Sequence, residues 1–165
     1  MNKKTLNILI VALLVLGAMA CMLIAFTANA REDFPESVKV KRNGETQEVF
    51  AVRDLKLTPS ESKEYEIDLV CDASGAYDIA LEYQEQHDGG MKRYVDVTVQ
   101  ANGETVYEGK LAKLLDGGEK IELQGTLYAQ EPLVLKIIYT MPYETGNEAQ
   151  GTSADFDLCL KIQKI

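Results

Sequence analysis

The chain contains no tryptophan, a single histidine and three cysteines in 165 residues, and its 17 basic residues are outnumbered by 26 acids. Each scarcity removes a class of function. Zinc hydrolysis needs several neutral or anionic ligands and an open position for water, most simply two histidines one helical turn apart with a carboxylate. His87 has no such companion. Serine or cysteine nucleophiles ordinarily need a neighbouring base, and His87 is the only imidazole available to any of them. It falls in Gln84-Glu85-Gln86-His87-Asp88-Gly89-Gly90, a polar stretch ending in a turn signal, which predicts a solvated loop histidine.

Other signatures are missing too. Asp88-Gly89-Gly90 and Asp116-Gly117-Gly118 have the composition of turns and lack the spacing of a phosphate cradle. Asp116 to Glu119 offers carboxylate and carbonyl oxygens of the kind calcium takes, outside any EF-hand spacing. Without tryptophan or an aromatic cluster, no platform for a glycan is marked. Carboxylates are plentiful, but on so acidic a chain they are assigned to solvation. No catalytic, cofactor-binding or metal-ligating residue is assigned, and the cofactor is left open.

The charge balance excludes a further class. Residues 1–30 carry two lysines and no acids, so the net charge of −9 becomes −11 over the remaining 135 residues. An acidic surface repels nucleic acid phosphates and anionic lipid alike. Nucleic acid is therefore not an expected partner, and contact with a membrane is expected only through the N-terminal segment.

That segment is the most specific feature present. Lys3 and Lys4 precede an uncharged run of nineteen residues, Ile8 to Phe26, followed by Thr27-Ala28-Asn29-Ala30 and then Arg31. Basic start, apolar run and small residues at Ala28 and Ala30 have the order of an export signal, with cleavage between Ala30 and Arg31. The run is also long enough to cross a bilayer as an uncleaved anchor. A lipobox reading of Ala18-Met19-Ala20-Cys21 is opposed by the apolar residues that continue after Cys21. Residues 1–30 are thus expected to be a signal peptide or an anchor, and residues 31–165 one domain, secreted or held at the extracellular cell surface.

Within residues 31–165, period-two alternation dominates. Apolar residues recur at Val38 and Val40, at Tyr65, Ile67 and Leu69, at Tyr77, Ile79, Leu81 and Tyr83, and at Val95, Val97 and Val99. Each set defines one buried strand face. Asn102-Gly103 predicts a type I′ hairpin in which Val106 returns opposite Val99. Further strands are expected at Lys120 to Leu127, Leu133 to Met141 and Ala154 to Ile162, with one helical turn at Lys110 to Leu115 ended by Asp116-Gly117-Gly118. Seven to nine short strands close most naturally as an all-β antiparallel sandwich of jelly-roll or immunoglobulin-like type, after an N-terminal export helix.

Cys71 and Cys159 form an even pair in a chain expected to leave the cytoplasm, so a disulfide is to be tested. Strand parity points the other way. Cys71 shares a face with Tyr65, Ile67 and Leu69, whereas Cys159 alternates against Phe156, Leu158, Leu160 and Ile162. A bridge needs a bulge or register shift to reverse one of them.

A resemblance emerges in the second half of the chain. Asn102-Gly103, Val106-Tyr107-Glu108-Gly109-Lys110-Leu111, Met141-Pro142, Gly146-Asn147-Glu148-Ala149-Gln150-Gly151 and a last strand with Phe156 and Gln163 together resemble the camelysin and TasA family. The matching motif residues are Pro142, Asn147, Gln150 and Gly151. Upstream, Leu57-Thr58-Pro59-Ser60-Glu61-Ser62 is similar to the family's turn before an early core strand, with Ser60-Glu61 where the family usually has Gly-Asp. The resemblance spans residues 55–163. It implies an exported jelly-roll protein of Gram-positive bacteria that acts as a matrix or biofilm fibre subunit joined by strand donation, or as a metalloendopeptidase.

Fibre assembly needs only an edge strand whose backbone can pair with a neighbour. Arg31 to Lys41, with Val38 and Val40 as alternating anchors and Pro35 limiting where pairing begins, is either such a donor or an ordinary first strand. The expected function is a structural or adhesive surface protein that self-assembles through strand edges or binds other matrix or surface proteins. A metalloendopeptidase and a monomeric binding module are the alternatives.

Overall fold

The computed structural model describes residues 31–33, 37–42 and 46–165. The export signal or anchor at residues 1–30, with Ala28, Ala30 and Cys21, and the restriction at Pro35 lie outside the described residues; Arg31 begins the first strand. Among the described residues no helix is long and apolar enough to cross a membrane.

In chain order the elements are β1 (Arg31–Asp33), β2 (Ser37–Arg42), β3 (Thr46–Leu55), β4 (Ser62–Cys71), β5 (Gly75–Gly89), β6 (Asp96–Ala101), β7 (Glu104–Lys110), α1 (Leu111–Asp116), β8 (Ile121–Leu127), β9 (Leu133–Thr140) and β10 (Ser153–Lys164). They form two five-stranded sheets, ordered β1-β3-β10-β5-β8 and β2-β4-β9-β6-β7. Set β1 and β2 aside, and the remaining eight strands make two four-stranded antiparallel sheets, β3-β10-β5-β8 and β4-β9-β6-β7. That strand order is a jelly roll. The fold is an antiparallel β-sandwich, and of the two types expected it is this one.

Alternation builds the core. Tyr65, Ile67, Leu69 and Cys71 of β4 face inward, as do Tyr77, Ile79, Leu81 and Tyr83 of β5, Val97 and Val99 of β6, and Phe156, Leu158, Leu160 and Ile162 of β10. Most of the intervening Glu, Lys and Asp face water, Asp157 being the buried exception. An aromatic chain crosses between the sheets: the Tyr139 ring lies 5.7 Å from Tyr65 and 5.5 Å from Phe156, which lies 5.7 Å from Tyr83. The Tyr139 hydroxyl donates to the Tyr83 hydroxyl at 3.3 Å inside the core. Leu111 and Leu114 of α1 are fully buried, so this single turn of helix joins the core between β7 and β8.

The hairpin at Asn102-Gly103 forms as expected, with positive φ at both residues, 48° at Asn102 and 85° at Gly103. Asn102 also exchanges bonds with β9, its N–H donating to the Val134 carbonyl at 2.8 Å and its Oδ1 accepting from the Val134 N–H at 2.9 Å. The partner of Val99 is Tyr107, however, and Val106 is exposed. A bulge places one extra residue on β7 between the pairs Gln100–Thr105 and Val99–Tyr107. An inserted residue shifts every pair beyond it.

Among the described residues ten strands stand in place of the seven to nine expected. β3 is a strand that alternation alone conceals, because Phe50, Ala51 and Val52 are buried in succession. Ala51 belongs to the outer face and stands opposite Asp157. The stretch read as a loop around His87 is also strand. β5 continues to Gly89, and its polar end pairs with β10, His87 opposite Asp155 and Asp88 opposite Ala154. Backbone pairing places no demand for apolar side chains there, so a hydrophobicity pattern cannot reveal it.

Candidate functional site

The N-terminal segment adds one strand to the outer edge of each sheet, β1 beside β3 and β2 beside β4. β2 runs parallel to β4, with Ser37 to Arg42 opposite Glu66 to Cys71. This contrasts with the antiparallel pairs of the eight-strand body. Val40, opposite Leu69, is buried in the core. In this chain the segment pairs with its own body through a parallel backbone ladder, with Val40 buried in the core.

The residues Pro142, Asn147, Gln150 and Gly151 lie on the connection from β9 to β10. Asn147–Ala149 is a single 3-10 turn. The Gln150 side-chain amide donates to Asn147 Oδ1 at 3.1 Å, and the Gln150 N–H to the Asn147 carbonyl at 3.1 Å. The two amides therefore bond to each other across the turn. Gly151 has φ of 73°, which a side chain would strain. Ala149 is buried, and its carbonyl accepts from the Thr152 N–H and, at 2.7 Å, from the Thr152 hydroxyl. Pro142 stands apart, opening a turn closed by the Thr145 N–H on its carbonyl at 3.1 Å.

Just before Pro142, Met141 meets the other segment of the resemblance. The Ser60 N–H donates to the Met141 carbonyl at 2.9 Å, and the Met141 N–H to the Glu61 carbonyl at 3.0 Å. Within that turn the Glu61 carboxylate accepts from the Thr58 N–H at 2.8 Å and the Thr58 hydroxyl at 3.0 Å. These bonds hold its pKa below the ordinary value, the backbone N–H contributing most.

His87 is exposed on β5. Among the described residues, no group of three or more histidines, cysteines or carboxylates is arranged to hold a metal. Asp116, weighed above as a calcium ligand, is instead bound to Lys92, whose ammonium lies 2.7 Å from Asp116, 2.8 Å from Glu85 and 3.1 Å from Asp88. The side chain of Lys92 is only 9% exposed, so its charge is the cation of this carboxylate cluster. Asp116 and Glu85 raise the Lys92 pKa, and the Gly90 N–H, followed by Lys92, lowers that of Asp88.

Cys71 and Cys159 are both free thiols. Cys71 faces inward from the second sheet and donates to the Tyr128 carbonyl at 3.4 Å. Cys159 is half-buried on the first sheet, and burial raises its pKa. The parity of the two strands keeps them on different faces of different sheets.

The outer face of the first sheet carries polar groups that the linear sequence does not connect. Asp157, almost fully buried, accepts from Arg53 at 2.6 Å and from Gln86 at 2.9 Å. Lys161 and Lys120 both reach Glu82 at 2.6 Å. Farther along, Asp78 and Glu122 come to one open groove only through strand register. Their sole signal in sequence is an outward position on a strand, which many residues share.

The described residues define a class, a jelly-roll β-sandwich with one extra N-terminal strand on each sheet. No family model and no curated protein matches the chain. Among solved structures it is similar to the pre-peptidase C-terminal domain of a collagenase from Bacillus anthracis, at 12% identity over 78% of this chain and 99% of that one, with a TM-score of 0.34. It is also similar to PliG of Aeromonas hydrophila, a periplasmic inhibitor of g-type lysozyme, at 15% identity over 78% of this chain and 98% of that one, with a TM-score of 0.35. PliG of Salmonella Typhimurium follows at 13% identity over 78% and 99%, with a TM-score of 0.32. The assignment of fold rests on the strand order itself.

Proposed function

We propose that the protein is an exported structural module, a matrix subunit or adhesive surface protein that joins its neighbours through strand edges. The observation that carries this reading is the position of β1 and β2, each on an outer edge and both outside an eight-strand body that already has jelly-roll order. Exchange of such a segment between identical chains preserves every backbone bond it makes within one chain, so the swap needs no new side-chain code. Val40 is the anchor to be transferred. The export signal, with release between Ala30 and Arg31, and the resemblance to the camelysin and TasA family support the same reading. The metalloendopeptidase alternative would have to work with the single histidine of the sequence, His87.

The test uses the chain released at Arg31. Light scattering and electron microscopy should show oligomers or fibres that grow with concentration, and removal of residues 31–42 should abolish them. Adding a peptide of residues 31–42 to the shortened chain should restore a one-to-one complex. A chain that stays monomeric at every concentration, with or without residues 31–42, overturns the proposal.

A further inference from the structure

A groove of about 510 Å³ lies on the outer face of the first sheet, lined by residues of β3, β10, β5 and β8. Two cross-strand rows make it. In one, Gln47, Lys161, Ala80 and Glu122 stand side by side on β3, β10, β5 and β8; in the next, Gln163, Asp78 and Gln124 do so on β10, β5 and β8. The small side chain of Ala80 leaves the floor open between larger neighbours.

The charges in the groove are unbalanced. Its one base, Lys161, is held at 2.6 Å by Glu82, outside the groove. Neither Asp78 nor Glu122 is in a salt bridge among the described residues, and Lys120, whose ammonium feels the charge of Glu122, is itself held by Glu82 at 2.6 Å. Moreover, Asp78 Oδ1 is buried and accepts no hydrogen bond, an arrangement a folded chain normally avoids.

We propose that the groove binds a cationic side chain, a lysine ammonium or arginine guanidinium, on an extended basic segment of a partner protein, with Asp78 and Glu122 as its acceptors. Charge complementarity selects this occupant. No aromatic ring lines the groove, so a sugar ring finds no face to stack on, whereas a cation meets two carboxylates and the amide oxygens beside them.

The probe is a fluorescent peptide alternating lysine and threonine, compared with one in which glutamine replaces lysine, titrated into the full-length chain. The lysine peptide should bind about tenfold or more tightly than the glutamine peptide and weaken as salt rises. Asp78→Asn with Glu122→Gln should weaken it by about tenfold or more. Ala80→Arg, which fills the floor and supplies a cation in place, should do the same without touching either acid. Glu131→Gln, exposed between β8 and β9, should leave binding unchanged. Equal binding by the double variant at an unchanged melting temperature overturns the proposal. So does equal loss on Glu131→Gln, which would mean diffuse attraction to an acidic surface, or binding of N-acetylglucosamine oligomers in place of the lysine peptide.

Discussion

Ser60 donates its backbone N–H to the carbonyl of Met141 at 2.9 Å while its own φ is held at 72°. The turn that leads into β4 is thus fastened to the end of β9 by a residue in the left-handed region that favours glycine. Two segments far apart in sequence, the turn at residues 57–62 and the end of β9, meet at this point.

The geometry at Ser60 is one that glycine adopts without strain. A left-handed conformation costs a side chain roughly 1–2 kcal/mol, partly offset by the backbone freedom a glycine loses on folding. Ser60→Gly should therefore raise stability by about 0.5–1 kcal/mol, read as a higher urea midpoint at unchanged slope.

Acid should weaken the fold through three carboxylates. Glu82 is held low by Lys120 and Lys161, Glu61 by Thr58, and Asp88 by the Gly90 N–H and Lys92. A folded pKa below the unfolded one means that the unfolded chain binds more protons, so this stability is present above the unfolded value and is lost as pH falls through the folded one. Thermal midpoints should decline below about pH 4.5 and the decline should be shallower in Glu82→Gln. At the alkaline end the sign reverses. Lys92 is raised above 10.5, so its contribution is full below that pH and lost only beyond it.

Lys92→Met should destabilise the chain, because Glu85, Asp88 and Asp116 would face one another without their cation. The side chains of Asp88 and Asp116 are 37% and 58% exposed, so solvent limits the cost to about 1–2 kcal/mol, below that of breaking a fully buried pair. Lowering the pH toward the carboxylate range should narrow the gap between variant and parent in paired denaturation curves.

The buried tyrosine pair should behave as one unit. Tyr139→Phe removes the donor to the Tyr83 hydroxyl, at a cost of about 1 kcal/mol, and a double change to phenylalanine should cost less than the two single changes added together. A double-mutant cycle in urea measures the coupling. Strict additivity would show that the 3.3 Å contact contributes nothing.

Thiol chemistry should separate the two cysteines. In the native chain from Arg31, alkylation should reach the half-buried Cys159 before Cys71, which is closed to solvent. Both should react after denaturation without a reductant, and an intact mass two protons lighter would contradict the free thiols.

Much of this architecture was legible because burial in a sheet repeats every second residue. Tyr65, Ile67 and Leu69, or Tyr77 to Tyr83, announce one buried face each without reference to the rest of the chain. The Asn102-Gly103 turn was equally local, since positive φ at two successive residues is a property of those residues. β3 escaped because Ala51 is small and covered on the face that ought to be polar. The end of β5 escaped because Gln84 to Asp88 are polar and paired at once. The Val106 bulge changed partners without changing composition.

By itself, then, the sequence determined which residues point inward, where the hairpin turns, that residues 1–30 have the order of an export signal, and that Cys71 and Cys159 stand on opposed faces. Those properties depend on neighbours a few residues away. Only the tertiary structure decided that β3 lies against β10, that β2 joins β4 in parallel, that Lys92 gathers three carboxylates, and that Asp78 and Glu122 share one groove. Each of these depends on register between strands distant in sequence, and alternation, which repeats identically at every even shift, carries no information about register.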